Sequence, residues 1–117
     1  MPYALLIVEP VGQRATRSEE EGRDLFAQMT RWGESLQRRG LLLGVQSLRS
    51  DADGVRVQVR DGKRRTVDGP FSEAKEMVGG FFLIDCDDKA QAVEIAAECP
   101  AAAWATVEVR EFGPCFT

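Results

Sequence analysis

A long amphipathic helix with both ends marked lies close to the start of the chain. Ser18 and Glu21 have the spacing of a capping box, which predicts where the helix begins. Apolar residues then recur at helical spacing as far as Leu36, and Gly40 suits the position just beyond a helix end. The sequence therefore predicts a helix near residues 19–39.

Strands are predicted on both sides of this helix and again further along the chain. The Asp61-Gly62 pair follows an alternating valine pattern and predicts a hairpin with a type I′ turn. The predicted strands are Tyr3–Val8, Leu41–Leu48 with a possible bulge at Gly44, Val55–Arg60, Lys63–Val67, Phe81–Asp85 and Ala105–Arg110. A second helix, capped by Asp87 or Asp88 and stopped by Pro100, has the apolar face Ala92, Val93, Ile95, Ala96 and Cys99.

The segment between the hairpin and the fifth strand is expected to be partly helical. Ser72–Val78 is predicted to form one or two helical turns. The Gly79-Gly80 pair is expected to end those turns, and a backbone nest that binds an anion is the alternative.

This order of elements is that of an α+β, ferredoxin-like split βαβ fold with an inserted β-hairpin. Two helices would cover one face of an antiparallel sheet, and residues 1–117 would form a single domain. The other sheet face would then need cover. The doubly apolar first strand, Trp104 and Phe112 predict that a second copy supplies it, giving a homodimer through the sheet.

The charge and the cysteine content indicate which classes of partner are disfavoured and which cellular compartment is expected. With 19 acidic and 15 basic residues the chain has a net charge of −4, which disfavours nucleic acid as a partner. No secretory signal is recognisable, and no apolar run approaches the ~20 residues that span a bilayer, so no membrane association is expected. Three cysteines without a Cys-x-x-Cys pair favour a reducing, cytoplasmic setting.

The chain contains no histidine, and this excludes several kinds of chemistry. Ser-His-Asp and Cys-His catalytic groups are impossible. The usual zinc, copper and non-haem iron sites also lose their commonest ligand. We therefore expect neither a metal nor a cofactor, and any reaction must use carboxylates, Lys, Tyr, Cys or backbone groups.

Two segments carry a resemblance to a known family. "VDGPFSEAKEMVGGFFLID" and the later "AAECPAAAWATVEVREF" resemble the DGPF subgroup of the YCII-related proteins over nearly the whole chain. The matching positions are Asp68, Gly69, Pro70, Phe71, Glu73, Lys75, Glu76, Gly79, Gly80, Cys99 to Ala102 and Val107 to Arg110.

The resemblance implies a ferredoxin-like fold that dimerises through its sheets, like the dimeric α/β barrels. Some family members are proposed enzymes that use a His–Asp pair in a cleft between helix and sheet. DGPF members are often encoded beside extracytoplasmic-function sigma factors, which implies a regulatory setting. The His–Asp pair cannot carry over, because the chain has no histidine and Cys99 stands before Pro100 where the acid is expected.

Asp68 is the candidate catalytic residue, since a loop carboxylate between a strand and Gly-Pro could be aimed into a cleft. The candidate ligand-binding residues near this loop are Asp68, Gly69, Pro70, Phe71, Lys75, Tyr3 and Arg49. The competing interpretation is a rigid corner, in which Asp68 accepts backbone N–H bonds and Phe71 fills the core.

Two hypotheses for the function stand at this point. One is a small-molecule or protein-binding protein of undefined activity with a cleft near the loop. The other is a lyase or isomerase with Asp68 as general base and Lys75 or Arg49 stabilising an enolate.

Overall fold

The computed structural model describes residues 1–117 and has the predicted α+β, ferredoxin-like arrangement. The strands are β1 (Pro2–Pro10), β2 (Leu42–Ser47), β3 (Val55–Arg60), β4 (Lys63–Asp68), β5 (Glu76–Asp85) and β6 (Thr106–Glu111), and the helices are α1 (Glu19–Arg38) and α2 (Lys89–Glu98). Short 3₁₀ turns cover Gln13–Thr16, Asp51–Asp53 and Pro100–Ala103. Four strands form an antiparallel sheet in the order β2-β5-β1-β6, and β3 pairs with β4 in a separate ribbon. No helix combines the length and apolarity needed to cross a bilayer.

Helix α1 begins and ends where the local signals predicted. The Ser18 hydroxyl accepts a bond from the Glu21 N–H, and the Glu21 carboxylate accepts one from the Ser18 N–H, both at 3.1 Å. Gly40 has a φ of +72°, a conformation that glycine adopts without steric cost just past a helix end. These signals act within one turn of the chain, so the sequence alone could locate both ends.

The hairpin turn and the bulge in β2 are also confirmed. Asp61 and Gly62 have φ values of +54° and +73°, as a type I′ turn requires. The register of β2 against β5 shifts between Leu42 and Gly44.

The prediction of helical turns over Ser72–Val78 is wrong. Residues 72–75 form no helix and contain only a turn, in which the Ala74 N–H donates to the Phe71 carbonyl at 3.0 Å. Strand β5 begins at Glu76, opposite Pro10 of β1, and continues through both glycines. Neither Gly79 nor Gly80 has the positive φ of a helix terminator. Pairing of residues 76–78 with β1 therefore outweighs the local helix propensity of this segment.

The core lies between the helices and one face of the sheet. Alternate residues of β1 (Tyr3, Leu5 and Ile7) are buried there with Trp32 of α1 and Ile95 of α2. The residues between them in β1 face the other side, together with Phe81 and Leu83 of β5, and are half-buried. The Cα atoms extend only 18 Å in the thinnest direction, so this second sheet face is uncovered in one chain.

Trp104 was predicted for the uncovered face, and that prediction is wrong. Trp104 packs against the buried core on the helix side, because the 3₁₀ turn at Pro100–Ala103 carries the chain back over that side. Phe112, in contrast, follows the alternation of β6 on the uncovered face and is 47% exposed.

The β3–β4 ribbon, residues 55–68, stands away from the rest of the chain, and we call it the arm. Every residue of both its strands is exposed. The radius of gyration of 16.0 Å exceeds the ~13 Å expected for a compact chain of this length. The arm therefore extends the molecule beyond the packed two-layer body.

Candidate ligand-binding cleft

A cleft of about 1000 Å³ runs along α1 beside β2 and β5, and its lining extends from Arg17, before the helix, to Gln37 near the helix end. Helix and sheet meet in the second half of α1, where the Trp32 and Phe82 ring centroids lie 4.7 Å apart. Gly33 permits this approach, since a Cβ there would lie 3.3 Å from the Phe82 ring. The first half of the helix has no such contact, and the space beneath it opens to solvent.

The walls of the cleft are largely apolar. Leu25, Phe26 and Met29 project from α1, and Val45 lies on the sheet side, directly opposite Phe82 in the β2–β5 register. Phe26 is 60% exposed and Val45 is 41% exposed. Large apolar side chains that remain exposed in a concave surface are typical of ligand sites.

A buried ion pair closes one end of the cleft. Glu9 occupies the next inward position on β1 after Tyr3, Leu5 and Ile7, and is 2% exposed. Arg14 binds both of its oxygens, with Nε 3.1 Å from Oε2 and Nη2 2.8 Å from Oε1. A buried carboxylate needs this kind of two-bond compensation, because the loss of its hydration is costly.

Arg14 also ties together the segments around it. Its guanidinium donates to the carbonyl oxygen of Leu48 at 2.8 Å and to that of Gly79 at 3.2 Å. The pair thus joins the end of β1 to the end of β2 and to β5, and fixes the shape of the cleft floor.

The glycine pair in β5 provides the space that this ion pair occupies. A Cβ on Gly79 would overlap the Glu9 carboxylate and lie 2.8 Å from Arg14 Nη2. A Cβ on Gly80 would lie 2.9 Å from the backbone oxygen of Gln46 in β2. The glycines are therefore required by the close approach of neighbouring groups.

Arg17 is the one arginine lining the cleft that forms no salt bridge. Its guanidinium carbon lies 4.6 Å from the centre of the Trp104 ring, a cation–π contact that holds it beside the cleft. Hydrogen bonds from the Ser18 backbone and hydroxyl lower the pKa of the nearby Glu21, and the charge of Arg17 adds to this. An arginine without a carboxylate partner is available to an anionic ligand.

The sequence model of the YCII-related domain matches residues 1–114. The chain belongs to the YCII-related family. An uncharacterized protein of Rhizobium meliloti (strain 1021) is 31% identical over 102 residues, which cover 84% of this chain and 79% of that protein. A YCII-related domain thus spans both the cleft and the arm.

In this YCII-related protein, Asp68 and Gly69 lie at the base of the arm, outside the cleft lining. The Asp68 side chain is exposed at the end of β4 and takes part in no hydrogen bond. The Gly69 N–H donates to the Gly54 carbonyl at 2.8 Å, and a Cβ on Gly69 would overlap the Asp51 carbonyl. This close approach fastens the end of β4 to the turn before β3.

The next two residues of the loop, Pro70 and Phe71, also belong to the base of the arm. The Gly69–Pro70 peptide bond is cis. The Phe71 ring would contact a Cβ on Gly54 at 3.4 Å, and the Arg56 guanidinium lies 3.9 Å from its centre. Phe71 therefore packs at the arm base and not in the main core.

The other predicted ligand-binding residues are spread over the molecule. Tyr3 is buried near the opposite end of β1, about 23 Å along the strand from Pro10, which pairs with Glu76 close to the loop. Burial and the charge of Glu111 raise the pKa of the Tyr3 hydroxyl. Lys75 and Arg49 are exposed. None of the seven residues lines the cleft, and their ligand-binding role stays a prediction.

The polar end of the cleft is formed by residues that are not among those seven candidates, namely Glu9, Arg14 and Arg17. Glu9 had a usable signal, because it continues the inward alternation of Tyr3, Leu5 and Ile7. Arg17 had none, since Trp104, which holds it, lies more than sixty residues further along the chain. Arg14 follows Glu9 by five residues, but its carbonyl acceptors on Leu48 and Gly79 lie 34 and 65 residues away. No group of three or more His, Cys, Asp or Glu side chains is arranged to hold a metal ion.

Proposed function

We propose that this YCII-related protein binds a small amphipathic organic acid in the cleft between α1 and the sheet. The observation that carries the proposal is Arg17, an arginine without a salt bridge at one end of an apolar-walled cleft. Its charge would meet the carboxylate of the ligand, and the apolar walls would cover the rest of the molecule.

Arg17 is better suited to this role than the other cleft arginines. Arg14 is committed to Glu9 and to two backbone carbonyls, and Arg23 binds Glu19 at 2.7 Å. Stacking on Trp104 limits the rotamers of Arg17, so binding an anion there costs less conformational entropy.

The distance along α1 sets the size of the ligand. Phe26 follows the helix start at Ser18 by about two turns, which corresponds to ~12 Å of helix. A molecule whose carboxylate reaches Arg17 and whose apolar end reaches Phe26 is therefore about the length of an octanoate chain or an indole-3-acetate. The cleft volume of about 1000 Å³ is at the upper end of the range of ordinary ligand pockets, so either molecule fits inside it.

Fluorescence titration with octanoate and indole-3-acetate, each beside its neutral amide, tests the proposal. Trp104 is one of only two tryptophans and lines the cleft, so binding should change the emission. The acids should bind more tightly than the amides. Arg17→Gln should weaken acid binding about 10- to 100-fold, since a hydrogen bond to a charged group contributes ~1.5–3 kcal/mol.

Arg31→Gln is the matched control, because Arg31 is exposed on α1 and does not line the cleft. It should leave the affinity within about twofold of the parent, as substitutions at exposed sites usually do. Equal affinities for acids and amides, or equal losses in the two arginine variants, would contradict the proposal.

The lyase or isomerase alternative has less support. A general base must reach the proton it removes, and the Asp68 carboxylate is exposed at the arm base, away from the cleft. Asp68→Asn should therefore bind the acids as the parent does. A loss of binding in that variant, with normal folding, would favour the loop as the site.

The assembly and setting of the protein complete the proposal. Association of two copies through the uncovered sheet face would bury Leu6, Val8, Phe81 and Leu83. The Asp68–Phe71 pattern supports placement in the DGPF subgroup and, through it, a cytoplasmic and sigma-factor-linked role. Light scattering should give about twice the 12.9 kDa of one chain, and Leu83→Glu should return the mass to that of one chain.

A further inference from the structure

The arm carries an excess of positive charge on a chain that is otherwise acidic. Its five basic and two acidic residues give a charge of +3, which leaves −7 for the rest of a chain whose net charge is −4. Electrostatic attraction therefore favours an acidic partner for the arm, and the rest of a second copy is such a surface.

The arm also exposes apolar side chains with nothing packed against them. Val57 and Val59 are 61% and 60% exposed on one face of the ribbon, and Val67 is 57% exposed on the other. A two-stranded ribbon is only marginally stable by itself, so burial of these valines against a partner would stabilise it.

An acidic surface lies at the end of the sheet that is farthest from the arm. Asp85 ends β5, and Asp87 and Asp88 follow it directly. The N-terminal amine compensates Asp85 at 2.8 Å, whereas Asp87 and Asp88 form no salt bridge. The arm emerges near Glu76, so one sheet presents basic and acidic ends about 30 Å apart.

The twofold axis of a face-to-face pair lies in the plane between the two sheets, and its two limiting orientations are along the strands and across them. An axis along the strands places one arm over the other arm, where their like charges repel. An axis across the strands places each arm over the acidic end of the second copy. The charge distribution therefore selects the second arrangement.

We propose that the arm of each copy docks against the Asp85–Asp88 end of a second copy. The inference rests on the sheet-face dimer proposed above and adds its orientation and a second contact surface. The same surface of the second copy would bury the exposed valines of the arm and attract its positive charge.

Charge reversal with rescue, measured by analytical ultracentrifugation at low salt, tests this. The triple variant Lys63→Glu/Arg64→Glu/Arg65→Glu should raise the dimer dissociation constant at least tenfold. Asp85→Lys/Asp87→Lys should have a similar effect, and the two sets combined should restore the constant to within about threefold of the parent. Every substituted arm residue is exposed, so the fold should tolerate these changes.

Arg31→Glu is the control for charge reversal elsewhere on the surface, and it should leave the dissociation constant nearly unchanged. A parent protein that stays monomeric would overturn both the dimer and the docking. A dimer that ignores arm reversal would overturn the docking alone and leave the arm to a different partner, such as nucleic acid. Weakening without rescue would overturn the assigned acidic surface.

Discussion

Replacing Gly79 by alanine should damage the floor of the cleft, because the new methyl group would need the space that the Glu9 carboxylate occupies. A Cβ at Gly79 would lie 2.7 Å from Glu9 Cδ and 2.8 Å from Arg14 Nη2. Neither group can withdraw easily, since Glu9 is buried and Arg14 is held by two further carbonyls. The expected result is a separated ion pair.

The size of the effect follows from the burial of the two partners. Leaving one member of a buried ion pair uncompensated costs ~3–5 kcal/mol. The Arg14 side chain is one-third exposed and regains water, so the low end of that range applies. Alanine also reduces the entropy of the unfolded chain, which returns ~0.4–1 kcal/mol. The net loss should be about 2 kcal/mol.

Urea or thermal unfolding, followed by fluorescence of the buried Trp32 at fixed protein concentration, measures this loss. An unfolding entropy of ~2.1 cal/mol/K per residue converts it to a decrease of about 8 °C in Tm. Gly44→Ala is the matched control in the neighbouring strand, because a Cβ there meets only a Leu83 methyl at 3.7 Å. It should change stability by less than ~1 kcal/mol.

A double-mutant cycle with Glu9→Ala identifies the cause of the loss. Once the Glu9 side chain is shortened, the Gly79 methyl group has room, so Gly79→Ala should cost little in that background. If Gly79→Ala costs the same with and without the Glu9 side chain, the steric reasoning is refuted. The same conclusion would follow if Gly79→Ala and Gly44→Ala were equally stable.

Three further predictions concern local structure. Ser18→Ala should lower the free energy of unfolding by ~1 kcal/mol, measured in urea, because it removes the α1 cap. The lowered pKa of Glu21 gives stability that is present above its ordinary value of 4.5 and is lost as the pH falls through the lower folded-state pKa. The difference in urea midpoint between the parent and Glu21→Gln should therefore shrink between pH 7 and pH values below 4.5, and a constant difference would contradict this. Burial raises the pKa of Cys99 to about 11 and also raises that of buried Cys86, whereas Cys115 is exposed. A thiol reagent at mildly alkaline pH should label one thiol quickly, and Cys115→Ser should abolish that fast phase.

The parts of the fold that the sequence could predict are those specified by neighbouring residues. The capping box at Ser18, the end of α1 at Gly40 and the Asp61-Gly62 turn each depend on backbone conformations within a few positions. The start of strand β5 was predicted wrongly, because it is determined by pairing with Pro10 and Glu9 of β1. The residues around Glu76 contain no local pattern that indicates this pairing.

The candidate site was less predictable for the same reason. The Asp68–Phe71 pattern drew attention to a loop that the structure places at the arm base, whereas the cleft depends on Arg14 and Arg17. Arg14 has one nearby partner, Glu9, but the Gly79 carbonyl that it also binds and the Trp104 ring beside Arg17 come together with them only when the whole sheet has formed. Glu9 alone could be predicted to be a buried charge, because it continues the inward alternation of β1.

The separate pairing of β3 with β4 has a consequence for how the molecule opens. The arm shares no strand pairing with the four-stranded sheet, so its amide hydrogens are protected only by the ribbon's own ladder. Its amides should exchange with deuterium through local opening, far faster than those of β1 and β5, whose exchange requires global unfolding. A protease could then cut within the arm while both helices and the four-stranded sheet remain folded.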